Sequence, residues 1–101
     1  MKTLAQLQSA DFVPYLNQTF TIRMKGMKPV ALELVLVTEN GMEFRPGARQ
    51  PFALYFLGPE SSQYLLQNTY RLEHPEMGVL NIFLVPRALQ AARMRYEAIF
   101  G

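Results

Sequence analysis

The sequence predicts a mainly β protein: a small antiparallel barrel or strongly bent sheet of about six strands, with a short N-terminal helix. Three observations carry this. Seven prolines and six glycines are spread along the chain, marking short elements joined by turns. Between these breaks Thr, Val, Ile, Phe and Tyr concentrate, with apolar residues recurring at a period of two. Half of the 101 residues are hydrophobic and only 18% are charged, so a chain of one-domain size can bury a core without metal or disulfide staples.

The N-terminal stretch is the best helical candidate. Ser9 or Asp11 can cap a short turn, and Phe12, Val13 and Leu16 fall at helical spacing. With Asp11 as the cap, Pro14 lies in the first turn, where its missing N–H costs little. The expectation is a helix of one or two turns that plugs one end of a barrel. Residues 19–25 then alternate, with Phe20, Ile22 and Met24 on one side and Thr21 and Arg23 on the other. After a turn at residues 26–29, residues 30–38 place Leu32, Leu34 and Leu36 on one face. Asn40-Gly41 is the strongest hairpin signal, because both residues accept the positive φ of a type I′ turn. It is expected to fold residues 42–44 back on the preceding strand, before a loop at 45–50.

Residues 51–57 alternate Phe52, Leu54 and Phe56 against Ala53, Tyr55 and Leu57, and Gly58-Pro59 is expected to stop that strand. Residues 60–66 are ambiguous, with room for a helical turn. Residues 68–74 and 79–85 form a second expected hairpin through Pro75-Glu76-Met77-Gly78, a link suited to a type I turn followed by a residue with positive φ. Residues 86–94 have local helix propensity, with Pro86 where a first helical residue sits. Residues 95–100 read as the closing strand.

Composition excludes several chemistries. With no cysteine, there is no disulfide framework, thiolate nucleophile or thiolate metal site, and one histidine cannot supply the usual zinc ligands. The first eight residues lack the apolar run of a signal peptide, and no apolar stretch approaches the ~20 residues of a membrane helix, so a soluble cytoplasmic protein without a membrane segment is expected. The glycines are too far apart for a dinucleotide fingerprint, and no glycine-rich run precedes a Lys-Ser or Lys-Thr pair. Asp11, His74 and Ser61 or Ser62 supply the residue types of a hydrolytic triad but not its motif, since Gly58-Pro59-Glu60-Ser61-Ser62 is no nucleophile elbow. No enzymatic activity, cofactor or metal is expected.

Several stretches carry a resemblance: Asp11-Phe12 with Leu16-Asn17-Gln18-Thr19-Phe20, Pro51-Phe52-Ala53-Leu54-Tyr55-Phe56-Leu57-Gly58-Pro59, Gln67-Asn68-Thr69-Tyr70-Arg71-Leu72-Glu73-His74-Pro75 with Gly78, Ile82-Phe83-Leu84-Val85-Pro86, and Tyr96-Glu97-Ala98-Ile99-Phe100. Together they cover nearly the whole chain, which resembles a small bacterial family of about this length that carries a domain-of-unknown-function label. Such proteins are found beside genes for phage-tail-collar or tail-fibre-like proteins, and the resemblance implies an accessory or assembly role. The chain departs from the family pattern around residues 87–95, which are richer in Ala, Gln and Arg. The resemblance brings no functional residues with it.

Six residues are candidates for interaction. His74 lies between Glu73 and Pro75, where a carboxylate can raise its pKa; the plainer expectation is a side chain that caps the hairpin turn. Arg45 and Arg49 flank a Pro-Gly loop and suit a phosphate or acidic partner by paired hydrogen bonds, against the plainer role of keeping a loop solvated. Arg87, Arg93 and Arg95 form either a basic edge or gatekeepers against unwanted strand pairing. The net charge is only +2 and the basic residues are scattered, which argues against nucleic acid as a partner. Tyr55, Tyr64, Tyr70 and Tyr96 could stack bases, but half-buried packing is the expected role. The methionines, Met24, Met27, Met42 and Met77 among them, are expected as core filling.

One feature stands out. Residues 30–37 and 79–85 are apolar on both faces apart from Glu33 and Asn81, where a half-exposed antiparallel strand alternates more strictly. The expectation is that the second face is covered by the N-terminal helix, by residues 60–66 or by another chain. The first functional expectation is therefore a non-enzymatic interaction or assembly protein with a protein partner or self-association. A nucleic-acid-binding barrel and a small-ligand barrel centred on His74 are the alternatives.

Overall fold

The structure, a computed structural model, describes residues 3–39 and 50–101. Six antiparallel strands, β1 (Thr19–Ile22), β2 (Val30–Glu39), β3 (Phe52–Glu60), β4 (Asn68–His74), β5 (Gly78–Gln90) and β6 (Arg93–Phe100), close into a barrel in the order β1-β2-β3-β6-β5-β4. The mainly β expectation is met. The Asn40-Gly41 turn, the 42–44 strand and the loop positions of Arg45 and Arg49 lie outside the described residues.

Period-two alternation decides what faces inward. Phe20 and Ile22 of β1, Leu32 and Leu34 of β2, Phe52, Leu54 and Phe56 of β3, Leu72 of β4, Ile82 and Leu84 of β5, and Tyr96 and Ala98 of β6 are all buried in one core. Burying each large aliphatic or aromatic side chain contributes about 1.5–3 kcal/mol relative to exposure. Closure at the β1–β4 seam rests on two residue pairs, Thr21↔Glu73 and Ile22↔Leu72.

The N-terminal segment closes one end as expected, although its cap differs. A 3-10 turn (Leu4–Gln6) precedes α1 (Ser9–Phe12), which runs into a second 3-10 turn (Val13–Tyr15). Gln8 is the N-cap, and Asp11 is the third helical residue, its carboxylate accepting from the Gln8 backbone N–H at 2.7 Å. Ser9 donates to Glu39 Oε1 at 2.5 Å, tying the helix to the end of β2. Phe12, fully buried, sits 5.8 Å from the ring centroids of both Phe52 and Phe100, which stack on each other at 4.6 Å. Those rings mark the first residue of β3 and the last of β6, so α1 plugs that end.

Four expectations are corrected. First, Leu36 does not share the face of Leu32 and Leu34: Leu34 pairs with Phe56 and Leu36 with Tyr55, so Val35 is a bulge residue. The extra residue inverts the alternation, turning Leu36 outward and Val37 onto the core. Second, β3 is not stopped by Gly58-Pro59. It runs to Glu60 with a register shift after Leu57, and Gly58 is the residue that passes beneath Tyr96, where a Cβ would lie 3.2 Å from the ring. Third, residues 86–90 and 93–94 are strand, not helix. Beyond the Asn68↔Leu84 pair β5 has, among the described residues, only β6 as a strand neighbour, so one edge of Pro86 carries no ladder that its missing N–H could break. The chain reverses through Ala91 and Ala92, both at positive φ of 49° and 64°. Fourth, no helix forms over residues 61–67.

The 68–85 hairpin is as expected. Seven consecutive pairs run from Asn68↔Leu84 to His74↔Gly78, and Gly78 takes φ +80°.

Candidate docking face

Closing the sheet on itself leaves the outer wall to solvent, so of the three covers expected for the second face of residues 30–37 and 79–85 the two within the chain, the N-terminal helix and residues 60–66, are not found there. On β5 the buried Leu80, Ile82 and Leu84 alternate with Val79, Asn81 and Phe83, which point out of the barrel. Val79 is 47% exposed and Phe83 50%. On β2 the outward Ala31 and Leu36 are exposed while Val35 is half-buried. The covering elements anticipated from the sequence are elsewhere: α1 plugs a barrel end, and residues 61–67 form an irregular connection.

Ile99 joins the same patch. On β6, Met94, Tyr96, Ala98 and Phe100 are buried, so Arg93, Arg95, Glu97 and Ile99 face outward. Three of those four are charged, and the apolar one is 73% exposed. The β5–β6 ladder ends at Val85↔Glu97. Beyond it the strands diverge around a cleft of about 490 Å³, with Asn81, Ile82 and Phe83 on one side, Ala98 and Ile99 on the other, and Leu4 of the first 3-10 turn at its mouth. Among the described residues no charged side chain lines it. An apolar, uncharged concavity on a barrel wall is suited to another polypeptide.

The residues singled out from sequence lie elsewhere and are mostly engaged with one another. His74 is buried at 6% exposure. Its Nδ1 accepts from the backbone N–H of Glu76 at 3.1 Å and of Met77 at 3.3 Å, which places the proton on Nε2, donating to Gln18 Oε1 at 2.7 Å. Tyr15 and Phe20 wall the ring at centroid distances of 4.7 Å. Burial lowers its pKa, with the Glu76 carboxylate opposing. All of this matches a turn cap.

The three C-terminal arginines form no free basic edge. The Arg93 Nε donates to Gly58 O at 2.7 Å and its Nη2 lies 3.2 Å from Glu33 Oε1. Arg87 Nε is 3.8 Å from Glu97 Oε1. Arg95 packs its guanidinium 4.5 Å from the Tyr55 ring centroid, while Tyr55 donates to Glu97 Oε2 at 2.7 Å. That hydrogen bond is the main cause of a raised Tyr55 pKa. The remaining tyrosines form no open platform either. Tyr96 is buried, its hydroxyl accepting from Leu65 N–H at 2.8 Å, and Tyr70 donates to Leu66 O at 2.6 Å. Only Tyr64 of this set has an exposed ring. Met94 is core, Met24 and Met77 pack against it, Met27 is exposed and Met42 lies outside the described residues.

Sequence reasoning flagged residues 79–85 and missed Leu4 and Ile99. The signal for Ile99 was present: it is the apolar member of an outward row otherwise made of Arg93, Arg95 and Glu97. Leu4 carried no comparable signal, because a 3-10 turn has no side-chain period long enough to read.

Comparison with known proteins places the chain. No curated protein and no solved structure matches it. A family model, that of a domain of unknown function (DUF6916), matches residues 7–100, from Leu7 in the plug to the last residue of β6. The chain belongs to the DUF6916 family of domains of unknown function.

Proposed function

We propose that this chain is a non-enzymatic interaction and assembly module, and that its working surface is the outer wall where β5 begins and β6 ends. The observation that carries the reading is the set of exposed apolar side chains Leu4, Phe83 and Ile99 around a cleft that, among the described residues, no charged side chain lines, with Val79 exposed further along β5. Leaving Phe83 and Ile99 wetted forgoes about 25 cal/mol for each Å² of apolar surface that a partner would cover. The candidate side chains of the alternative readings are largely committed to internal contacts: His74 to its turn, Arg87 and Arg93 to carboxylates, and Tyr96 and Tyr70 to backbone groups. Among the described residues no helix is long and apolar enough to cross a membrane. A cytoplasmic accessory part of a phage-tail-like apparatus is the setting we propose, on the strength of the resemblance described above. Such assemblies are held by repeated contacts between small folded parts, a task for which a rigid barrel with one apolar wall is suited.

The test is a native pull-down and a light-scattering measurement on the wild type and on Phe83→Lys/Ile99→Lys. Both positions face outward, so the variant should keep the wild-type melting temperature. The reading predicts that it loses wild-type contacts. A double variant that retains every captured protein and the same self-association would remove the reading.

A further inference from the structure

The end of the barrel away from the plug holds a further cleft, of about 640 Å³, which the interaction surface proposed above does not use. The plug sits on Phe52 and Phe100, the first residue of β3 and the last of β6. This cleft is lined from the other ends of the same strands, by Pro59 and Glu60 of β3 and Met94 of β6, together with Val30 at the start of β2. Residues of the irregular 61–67 connection form one wall. That wall is tied down by three hydrogen bonds: Ser61 N–H donates to Ala92 O at 3.3 Å, Gln63 N–H to Ser61 Oγ at 3.0 Å and Leu65 N–H to the Tyr96 hydroxyl at 2.8 Å. A wall held in this way is in place before a guest arrives, and the volume falls within the roughly 300–1,000 Å³ of small-molecule sites.

The lining is apolar around one buried hydroxyl. Pro29, Val30 and Leu65 supply hydrocarbon, and Met27 and Met94 add flexible thioethers that adapt to the shape of a guest. Met27 and Tyr64 are exposed, offering apolar surface for a guest to cover. Tyr96, by contrast, is only 2% exposed. Burial raises its pKa, so the phenol keeps its proton. The oxygen accepts from Leu65 N–H, but among the described residues nothing accepts the proton that the hydroxyl has to donate. A buried donor without an acceptor is costly, and this residue borders the cleft. Among the described residues the charged members of the lining are Lys28 and Glu60, one of each sign. They cancel, so the cleft does not favour a guest with net charge.

We propose that this cleft binds a small, uncharged, apolar carbonyl compound (a ketone, ester or amide), whose oxygen accepts the Tyr96 O–H while its hydrocarbon body lies against Met94, Leu65 and Met27. A neutral carbonyl oxygen is the acceptor that fits. A carboxylate in the same apolar surroundings would have to shed far more of its hydration. A site of this kind rejects a hydrocarbon of the same shape, because that guest would seal the donor away unpaired. The proposal does not rest on the outer wall, whose cleft lies beside Ile99 and Phe100 at the plug end, so either reading can fail without the other.

Benzophenone and diphenylmethane are suitable probes, since they are close in size and differ at the carbonyl. With methyl-labelled methionines, benzophenone should shift the Met94 and Met27 signals saturably. It should leave Met77 unmoved, because that residue lies with Leu7 and Tyr15 at the plug end. Diphenylmethane should bind at least tenfold more weakly. The infrared carbonyl stretch of bound benzophenone should move to lower frequency, as that of a hydrogen-bonded ketone does. Tyr96→Phe should remove both the preference and the stretch shift. A Met94 signal that benzophenone leaves unmoved, equal affinity for the two probes, or a carbonyl stretch like that in hydrocarbon solvent would overturn the proposal. So would a Tyr96→Phe variant that folds and keeps the preference. The two-probe and infrared comparisons are made on the wild type, and they decide the matter even where Tyr96→Phe does not fold.

Discussion

His74 shows how a suggestive residue is absorbed by structure. Its neutral ring accepts two backbone N–H groups and donates to Gln18, so protonating Nδ1 breaks the turn cap. Burial holds its pKa below the ordinary 6.5, and the unfolded chain therefore binds this proton more readily than the fold. The stability that it contributes is full above that ordinary value and is lost as pH falls through the lower folded value. The melting temperature should drop as the pH is lowered from about 7 to about 5, and His74→Gln should flatten that part of the profile. Gly58 makes a second residue-scale prediction. A methyl group there meets the Tyr96 ring at 3.2 Å, so Gly58→Ala should cost about 1–3 kcal/mol in a denaturant titration. The cap was legible because a histidine before Pro75 in a hairpin link has backbone donors close at hand. The need for Gly58 was not, because Tyr96 is distant in sequence and reaches it only through the β3–β6 register.

At the scale of elements, pattern was a good guide wherever side chains alternated and failed wherever the ladder was irregular. Residues 68–74 and 79–85 carried both alternation and a turn with a suitable glycine, and the expected hairpin formed. The Val35 bulge left no mark in sequence, so Leu36 was assigned inward when it faces out. Residues 86–94, rich in Ala, Leu, Gln, Arg and Met, have helix propensity, but pairing with the strongly alternating 95–100 segment overrides so weak a preference. The cost is visible in the turn. Ala91 and Ala92 both sit at positive φ, which alanine tolerates poorly and Asn-Gly favours. Ala91→Asn/Ala92→Gly should stabilise the protein by about 1 kcal/mol, read as a higher urea midpoint with an unchanged slope. The plug makes the opposite prediction: Phe12→Ala removes a fully buried ring from between Phe52 and Phe100 and should cost about 3–5 kcal/mol.

For the whole molecule, the consequence of barrel closure is a division of labour between two surfaces. The interior takes the large apolar side chains from six strands and a plug. The exterior is locally cross-linked, with Arg93 on Glu33 and Arg87 on Glu97, and it exposes apolar side chains where β5 and β6 part as well as at Met27, Leu66 and Leu89. The doubly apolar character of residues 79–85 led to the expectation of contact on both faces; within the chain the inner contact alone is made, and the outer one is what we propose. Velocity sedimentation of fluorescently labelled wild type and Phe83→Lys/Ile99→Lys, alone over a wide concentration range and in native lysate, tests this most directly. The account predicts a wild-type sedimentation coefficient that rises above the monomer value in one of these settings, and a variant that stays at the monomer value in both. A wild type that sediments as the same monomer throughout would contradict it.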